Sequence, residues 1–171
     1  MQQWKQSVEL HKQQLIDALC TDTGRKWETV PEADLVASSV DRWCGIAKEF
    51  FITLTPKQSL IPFIQLQQHL VLFQLTGIIS PWNFPLLLSL IDTIPALLAG
   101  CAVIVKPSEV TPRFIKVLQQ TIDEVPALKQ VLKYIEGDGT VGAALVDNCD
   151  LICFTGSTAT GKKYMMQQAK K

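Results

Sequence analysis

Residues 77–109, with the sequence GIISPWNFPLLLSLIDTIPALLAGCAVIVKPSE, determine the fold that we predict for this chain. A short β-branched run at 78–79 predicts a strand, and turn-forming residues follow it. Pro85 suits the first turn of a helix, because a missing backbone N–H costs nothing there. The leucine-rich segment after it predicts a helix from Pro85 to Ala99 that stops at a glycine, and 101–105 predict a second buried strand. The stretch therefore indicates one β-α-β unit.

Polar side chains follow both predicted strands of this unit. Asn83 lies in the turn after the first strand, and Lys106 and Glu109 come directly after the second. Ligands of parallel α/β sheets bind in the crevice beyond the carboxyl ends of the strands. We therefore predict that these three residues lie at the functional site of the protein.

The composition indicates one globular domain with a substantial core. Of the 171 residues, 47% are hydrophobic, and 16 basic residues balance 16 acidic ones, so no basic face for nucleic acid is expected. The cysteines form no CxxC pair, and we predict reduced thiols in a cytoplasmic protein: Cys20, Cys44, Cys101, Cys149 and Cys153. The N-terminus has no apolar signal sequence. Residues 78–105 carry a single charge, but three prolines in this segment favour a buried β-α-β unit over a membrane span.

Residues 1–54 predict a pair of amphipathic helices. Apolar residues repeat at helical spacing over residues 3–20, and Gly24 ends this helix. A second helix is predicted to begin at Pro31, with acids in its first turn and charged positions facing solvent. Its inner face is predicted to comprise Leu35, Val36, Val40, Trp43, Ala47 and Phe50.

Residues 55–76 predict a protruding β-ribbon. Residues 55–59 form a linker, and 63–75 alternate between apolar and polar residues, many of them glutamine. Strands with open edges can be covered by a second subunit, so we expect a homo-oligomer through 63–75. The chain has two histidines, His11 and His69, and no metal site is expected.

Residues 77–171 alternate strands with helices. Strands are predicted near 77–80, 101–105, 131–136 and 150–154, and helices near 85–99, 112–123, 140–147 and 159–170. This alternation predicts right-handed βαβ units in a parallel, Rossmann-like sheet with flanking helices. The fold class is therefore α/β.

Three ordered motifs carry a family resemblance: Pro81-Trp82-Asn83-Phe84-Pro85, Lys106-Pro107-Ser108-Glu109 and Phe154-Thr155-Gly156-Ser157. The chain resembles the NAD(P)-dependent aldehyde dehydrogenase superfamily over roughly residues 10–171. This implies part of the aldehyde dehydrogenase fold, NAD as cofactor and a small-molecule aldehyde as substrate. In such enzymes a cysteine thiolate attacks the aldehyde, hydride passes to NAD, and a Glu-activated water hydrolyses the thioester.

The resemblance assigns a role to individual residues. Asn83 stabilises the oxyanion, although a helix N-cap is its structural alternative. Lys106 and Glu109 grip the adenine ribose, and the carboxylate favours NAD over NADP by repelling a 2′-phosphate; a solvated ion pair is the alternative. Gly156 and Ser157 approach the pyrophosphate at a helix start. The full predicted set for the cofactor is Ile79, Ser80, Pro81, Trp82, Lys106, Ser108, Glu109, Gly139, Phe154, Thr155, Gly156, Ser157 and Thr160.

Two other interpretations remain open from the sequence. Residues 156–162 nearly match a phosphate-binding P-loop, but Lys163 stands where that motif needs a hydroxyl. A non-catalytic NAD-binding or oligomerisation fragment is the second alternative. The family's nucleophilic cysteine and general-base glutamate are expected on segments that this chain does not contain, because no cysteine here has the Gln-x-Cys setting. We therefore expect no turnover by this chain alone.

Overall fold

The computed structural model describes residues 1–52, 56–67 and 69–170, and the description of side chains leaves out 50–52. The helices are α1 Gln2–Leu10, α2 Lys12–Thr23, α3 Thr29–Ile52, α4 Pro85–Leu90, α5 Thr93–Leu98, α6 Arg113–Asp123, α7 Pro126–Lys129, α8 Gly139–Asn148 and α9 Thr158–Gln168. The strands are β1 Lys57–Gln58, β2 Gln65–Leu66, β3 Leu75–Ile79, β4 Ala102–Lys106, β5 Leu132–Tyr134 and β6 Leu151–Phe154.

Strands β3 to β6 form one parallel sheet in the order β5-β4-β3-β6. Counted from β3, this is the 3-2-1-4 order of a Rossmann-type sheet. The chain moves outward from β3 through β4 to β5, then crosses back to place β6 on the other side of β3. The order therefore reverses beside β3, and the crevice for ligands is expected at this edge. The predicted α/β class and parallel sheet are confirmed.

Helices cover both faces of the sheet. On one face a single hydrophobic cluster joins Trp4 of α1 and Val36 of α3 to Ile78 of β3, Val103 of β4 and Phe114 of α6. A second cluster on the other face packs β3 against α8 and α9. Strands buried on both faces need uniformly apolar sequences, which explains the runs at 78–79 and 101–105.

The predicted helix over residues 3–20 is wrong in one respect, because it is broken at His11. The His11 backbone lies at φ −99° and ψ 8°, outside the helical region, and separates α1 from α2. Its Nε2 lies 2.9 Å from Oε1 of Glu124, so a contact with α6 accompanies the break. The predicted end at Gly24 is confirmed, since this residue takes the left-handed conformation at φ +69°.

Helix α3 begins at Thr29, two residues before the predicted Pro31. Its inner stripe contains Val36 and Val40 as predicted, but Leu35 is 44% exposed, which corrects the predicted face. Glu32 was expected in solvent and is buried instead, with 3% of its surface exposed. The predicted contribution of the Phe50 side chain lies outside the described part of the chain.

The predicted helix over 85–99 is divided into α4 and α5. Pro95 explains the break, because it has no N–H to donate to the carbonyl of Ile91 and its ring crowds that carbonyl. The chain leaves α5 through Gly100 at φ +94°, so the predicted stop is confirmed. The short helix α7, which begins at Pro126, was not anticipated.

The ribbon is much shorter than predicted. β1 pairs antiparallel with β2 over two residues each, so β1 forms within the predicted linker. Of the predicted strands over 63–75, the described residues form β2 and the first residue of β3, and residue 68 lies outside the description. Glutamine alternation alone did not identify which residues pair.

Gly77 in β3 is required by close packing. A Cβ at this position would lie 2.6 Å from Cδ1 of Ile152 and 2.9 Å from Sγ of Cys149. We expect Gly77→Ala to lower the free energy of unfolding by about 1–3 kcal/mol, because the core between β3 and α8 becomes overpacked. Gly45→Ala, on α3 with open space around it, is the control and is expected to stabilise by up to about 1 kcal/mol. Urea denaturation measures both, and equal effects of the two variants would contradict the packing argument.

Candidate functional site

A cleft of about 550 Å³ opens at the carboxyl ends of β3, β4 and β6. Every site residue predicted from the sequence lines it: Ile79, Ser80, Pro81, Trp82, Asn83, Lys106, Ser108, Glu109, Gly139, Phe154, Thr155, Gly156, Ser157 and Thr160. Leu88 and Tyr164 also line the cleft and were not anticipated. Residues up to 85 positions apart in sequence thus meet, because parallel strands end at one edge of the sheet.

The first wall of the cleft is the turn after β3. The backbone N–H of Ser80 donates to the carbonyl of Lys106 at 3.2 Å, which extends the pairing of β3 and β4 past the strand ends. Ser80 is 3% exposed, and its hydroxyl has no hydrogen-bond partner among the described residues. Trp82 is 52% exposed, so it lies at the surface of the cleft and not in the core.

Asn83 is exposed at the rim and does not cap the following helix. The N-cap of α4 is Phe84, whose side chain makes no capping hydrogen bond. The N-cap alternative for Asn83 is therefore wrong. Its backbone carbonyl instead accepts a hydrogen bond from the guanidinium of Arg25.

Lys106 and Glu109, at the end of β4 and just after it, form the adjacent wall of the cleft. Lys106 is 4% exposed, and its Nζ donates to Oε2 of Glu109 and to the carbonyl of Pro107, both at 3.1 Å. The Glu109 side chain keeps 57% of its surface exposed. Its own backbone N–H and the Lys106 ammonium lower the pKa of Glu109 below the ordinary value. A buried cation beside an accessible carboxylate differs from the solvated ion pair that was the alternative.

The third wall is the turn between β6 and α9. The N–H of Thr155 donates to the carbonyl of Ile79 at 3.0 Å, and the hydroxyl of Ser157 caps α9 by accepting from the N–H of Thr160 at 3.2 Å. Since α9 begins at Thr158, Lys162 lies more than one turn inside a helix and is exposed. A P-loop needs an extended loop up to its lysine, so the P-loop interpretation is wrong.

The far end of the cleft is closed by α8 and Tyr164. Asp138 caps α8 by accepting from the N–H of Thr140 at 2.9 Å. The ring of Tyr164 packs edge-on against Phe154 with centroids 5.5 Å apart, and a Cβ on Gly142 would collide with its hydroxyl. Burial, and then the nearby Glu109 charge, raise the pKa of Tyr164 above its ordinary value.

The sequence model of the aldehyde dehydrogenase family matches residues 1–171. The chain belongs to the aldehyde dehydrogenase family. Among solved structures, the chain is similar to PutA from Anabaena variabilis, described provisionally as an aldehyde dehydrogenase, with 53% identity, a TM-score of 0.94, and coverage of 99% of this chain and 36% of that one. It is also similar to betaine aldehyde dehydrogenase from Staphylococcus aureus in complex with NAD⁺, with 28% identity, a TM-score of 0.88, and coverage of 98% and 34%.

Curated relatives give the same family. The mitochondrial succinate-semialdehyde dehydrogenase of Arabidopsis thaliana is 31% identical over an alignment of 176 positions, which covers 99% of this chain and 32% of that protein. A Mycobacterium tuberculosis protein provisionally named succinate-semialdehyde dehydrogenase [NADP(+)] 2 is 32% identical over 95% of this chain and 32% of its own length. The chain therefore spans about a third of the length of the curated relatives that it matches. The predicted resemblance is confirmed, and the fold is part of the aldehyde dehydrogenase fold.

The thiols of this family member lie away from the cleft lining. Cys101 and Cys149 are buried, and Cys153 is partly buried within β6. Burial raises the pKa of Cys153, which disfavours its thiolate. Over residues 1–52, 56–67 and 69–170 no group of three His, Cys, Asp or Glu side chains is placed to hold a metal ion. Within the same ranges no helix combines the length and apolarity that crossing a membrane requires.

Proposed function

We propose that this chain forms the NAD-binding part of an oxidoreductase that converts an aldehyde to a carboxylic acid. The observation that carries the proposal is the cleft itself, in which a buried lysine, an accessible carboxylate and an exposed asparagine amide share one sheet edge. Bound NAD would supply the hydride acceptor. The residues of this chain bind and orient the dinucleotide and stabilise charge on the substrate oxygen.

The polar groups that line the cleft support this proposal, because each suits a different part of a dinucleotide. The ammonium of Lys106 can donate to a ribose hydroxyl, and the carboxylate of Glu109 can accept from its neighbour. The turn at Gly156 presents the N-terminus of α9, where backbone N–H groups favour a pyrophosphate. The buried hydroxyl of Ser80 provides a further donor that has no partner among the described residues.

Asn83 is the residue of this chain that we assign to the chemical step. A side-chain amide directed at a carbonyl oxygen stabilises the negative charge that forms when a thiolate attacks an aldehyde. None of the cysteines is assigned as the nucleophile. We expect the purified 171-residue chain to produce no NADH from NAD and an aldehyde such as succinate semialdehyde, measured by absorbance at saturating substrate. NADH production that disappears in Asn83→Ala would contradict this expectation.

Glu109 is proposed to favour NAD over NADP. Glu109→Ala is expected to weaken NAD binding about tenfold, through loss of hydrogen bonds to a charged acceptor. Glu109→Gln keeps an acceptor and removes the charge, so it is expected to bind NADP more tightly than the unmodified chain does. Isothermal titration calorimetry with both dinucleotides measures these changes, and Glu9→Gln, an exposed carboxylate on α1, is the control. Unchanged NAD and NADP affinities in both Glu109 variants would contradict the ribose assignment.

A non-catalytic role is the second candidate, because the ribbon exposes many apolar side chains. The exposed set includes Leu60, Ile61, Phe63, Ile64, Leu66, Val71 and Phe73. An apolar patch of this kind is typical of a protein interface, which supports a homo-oligomer formed through residues 63–75. If the unmodified chain gives no heat of binding with NAD, this alternative is favoured over the cofactor-binding role.

A further inference from the structure

Glu32 is a buried carboxylate that does not line the cleft. Its Oε1 accepts hydrogen bonds from the backbone N–H groups of Leu86 at 2.9 Å and Leu87 at 3.0 Å. These amides belong to the first turn of α4, where no intrahelical acceptor is available. The carboxylate of one helix therefore closes the start of another, 54 residues away in sequence.

Arg25 contacts the two residues that precede α4. Its guanidinium donates to the backbone carbonyl of Asn83 and lies 5.0 Å from the ring centroid of Phe84. The positive charge of Arg25 also acts on Glu32, so the two side chains form one electrostatic group. Neither the Arg25 contact with Asn83 nor the Glu32 contacts with Leu86 and Leu87 use the side-chain amide of Asn83.

The turn of residues 81–85 has few internal hydrogen bonds available to fix its conformation. Pro81 and Pro85 carry no backbone N–H, and Phe84 at the N-cap gives no side-chain hydrogen bond. The path of the backbone through Asn83 therefore depends on donors from outside the turn, which are Arg25 at the Asn83 carbonyl and the Thr111 hydroxyl 3.5 Å from the Trp82 carbonyl. Displacement of a binding group by about 1 Å is enough to weaken function strongly.

We propose that Glu32 and Arg25 are positioning residues that hold residues 83–87, and with them the cleft-lining residues Trp82 and Asn83, at the nicotinamide end of the cleft. The proposal rests on the proposed function, because it needs the dinucleotide to lie with its adenosine end at Lys106 and Glu109. The nicotinamide end and the adenosine end of the cleft are then held by different residues. Loss of the contacts moves the nicotinamide wall and leaves the adenosine wall in place.

Two substitutions at position 32 test whether Glu32 acts as a hydrogen-bond acceptor or only fills space. Glu32→Gln keeps an oxygen that can accept from Leu86 and Leu87, whereas Glu32→Ala removes it and leaves both amides unpaired. Arg25→Met removes the contact with Asn83 at a site that is only partly buried. Asp34→Ala, an exposed acid on the same helix, is the matched control.

The experiment is calorimetric titration of each folded variant with NAD and with 5′-AMP, which contains the adenosine end alone. In Glu32→Ala and Arg25→Met we expect NAD affinity to fall by about tenfold, because binding must then order residues 83–87, with AMP affinity within about twofold of the unmodified chain. Glu32→Gln and Asp34→Ala are expected to retain both affinities. Circular dichroism verifies folding, and Arg25→Met tests the proposal by itself if Glu32→Ala does not fold.

Each other outcome overturns a specific statement. If the unmodified chain binds both ligands and Arg25→Met keeps its NAD affinity, the positioning role is wrong and the proposed function stands. An equal loss of NAD and AMP affinity in a folded variant also overturns the positioning role. If the unmodified chain binds neither ligand, the proposed function fails, and this inference fails with it.

Discussion

Lys106→Met is expected to weaken NAD binding by about tenfold to a hundredfold, because hydrogen bonds to a charged group contribute roughly 1.5–3 kcal/mol. Lys106 is 4% exposed, and its ammonium lies 3.1 Å from Oε2 of Glu109, whose side chain keeps 57% of its surface exposed. Methionine preserves most of the length and apolar contact of the lysine side chain, so the strand end retains its packing. The expected loss therefore reports the missing cation rather than a change of fold.

Two other lysines provide matched controls for this variant. Lys116→Met removes an exposed cation on α6, and Lys162→Met removes the lysine of the P-loop-like sequence. Neither residue lines the cleft, and calorimetry is expected to give NAD affinities close to that of the unmodified chain. Undiminished binding in Lys106→Met would contradict the assignment of the ribose to this end of the cleft. Loss of NAD binding in Lys162→Met would contradict the proposal that the β6–α9 turn contacts the pyrophosphate through its backbone N–H groups and not through this lysine.

The alternation of strands and helices after Gly77 was predictable because local chemistry determines it. All four predicted strands form within two residues of their predicted ends. Doubly covered strands must be apolar throughout, and glycine and proline mark their boundaries, so each segment carries its own signal. Because the strands are parallel, their carboxyl ends lie at one edge of the sheet, which brings the predicted motifs together.

The features that sequence reasoning missed depend on partners far away in the chain. The break at His11 accompanies a contact with Glu124, and Glu32 is buried because two amides of α4 face it. Amphipathic periodicity cannot distinguish an acid in solvent from an acid that caps another helix. The break at Ile91 is different, because the sequence contains its cause. Pro95 cannot donate a hydrogen bond to the Ile91 carbonyl, and a leucine-rich pattern does not remove this effect.

The membership of the site was predictable, but its electrostatics were not. The motifs placed Lys106 and Glu109 together, and a lysine three residues from a glutamate reads equally well as a surface pair. Burial of the cation follows from β4 lying at the centre of the sheet, which is a property of topology. Tyr164 was missed although a signal existed: it lies four residues after Thr160, on the same face of α9.

Trp4→Ala is expected to lower the free energy of unfolding by about 3–5 kcal/mol, since it removes a large buried aromatic side chain. Trp4 is fully buried, and its indole N–H donates to the hydroxyl of Thr121 on α6 at 3.0 Å. Trp4→Phe keeps an aromatic ring and loses this hydrogen bond, so a smaller loss of about 1–2 kcal/mol is expected. Trp27→Ala, at a site 87% exposed, is expected to stay within about 0.5 kcal/mol.

The Trp4 variants also test whether residues 1–54 fold together with the sheet. The same hydrophobic cluster contains Trp4 and the strand residues Ile78 and Val103, so one cooperative transition is expected when circular dichroism follows urea denaturation. The midpoint should then fall in the order Trp27→Ala, Trp4→Phe, Trp4→Ala. A second, earlier transition in Trp4→Ala would mean that the helices detach from an intact sheet. In that case Arg25 and Glu32 would be lost from the Asn83 turn before the cleft unfolds, and NAD binding would disappear with the first transition.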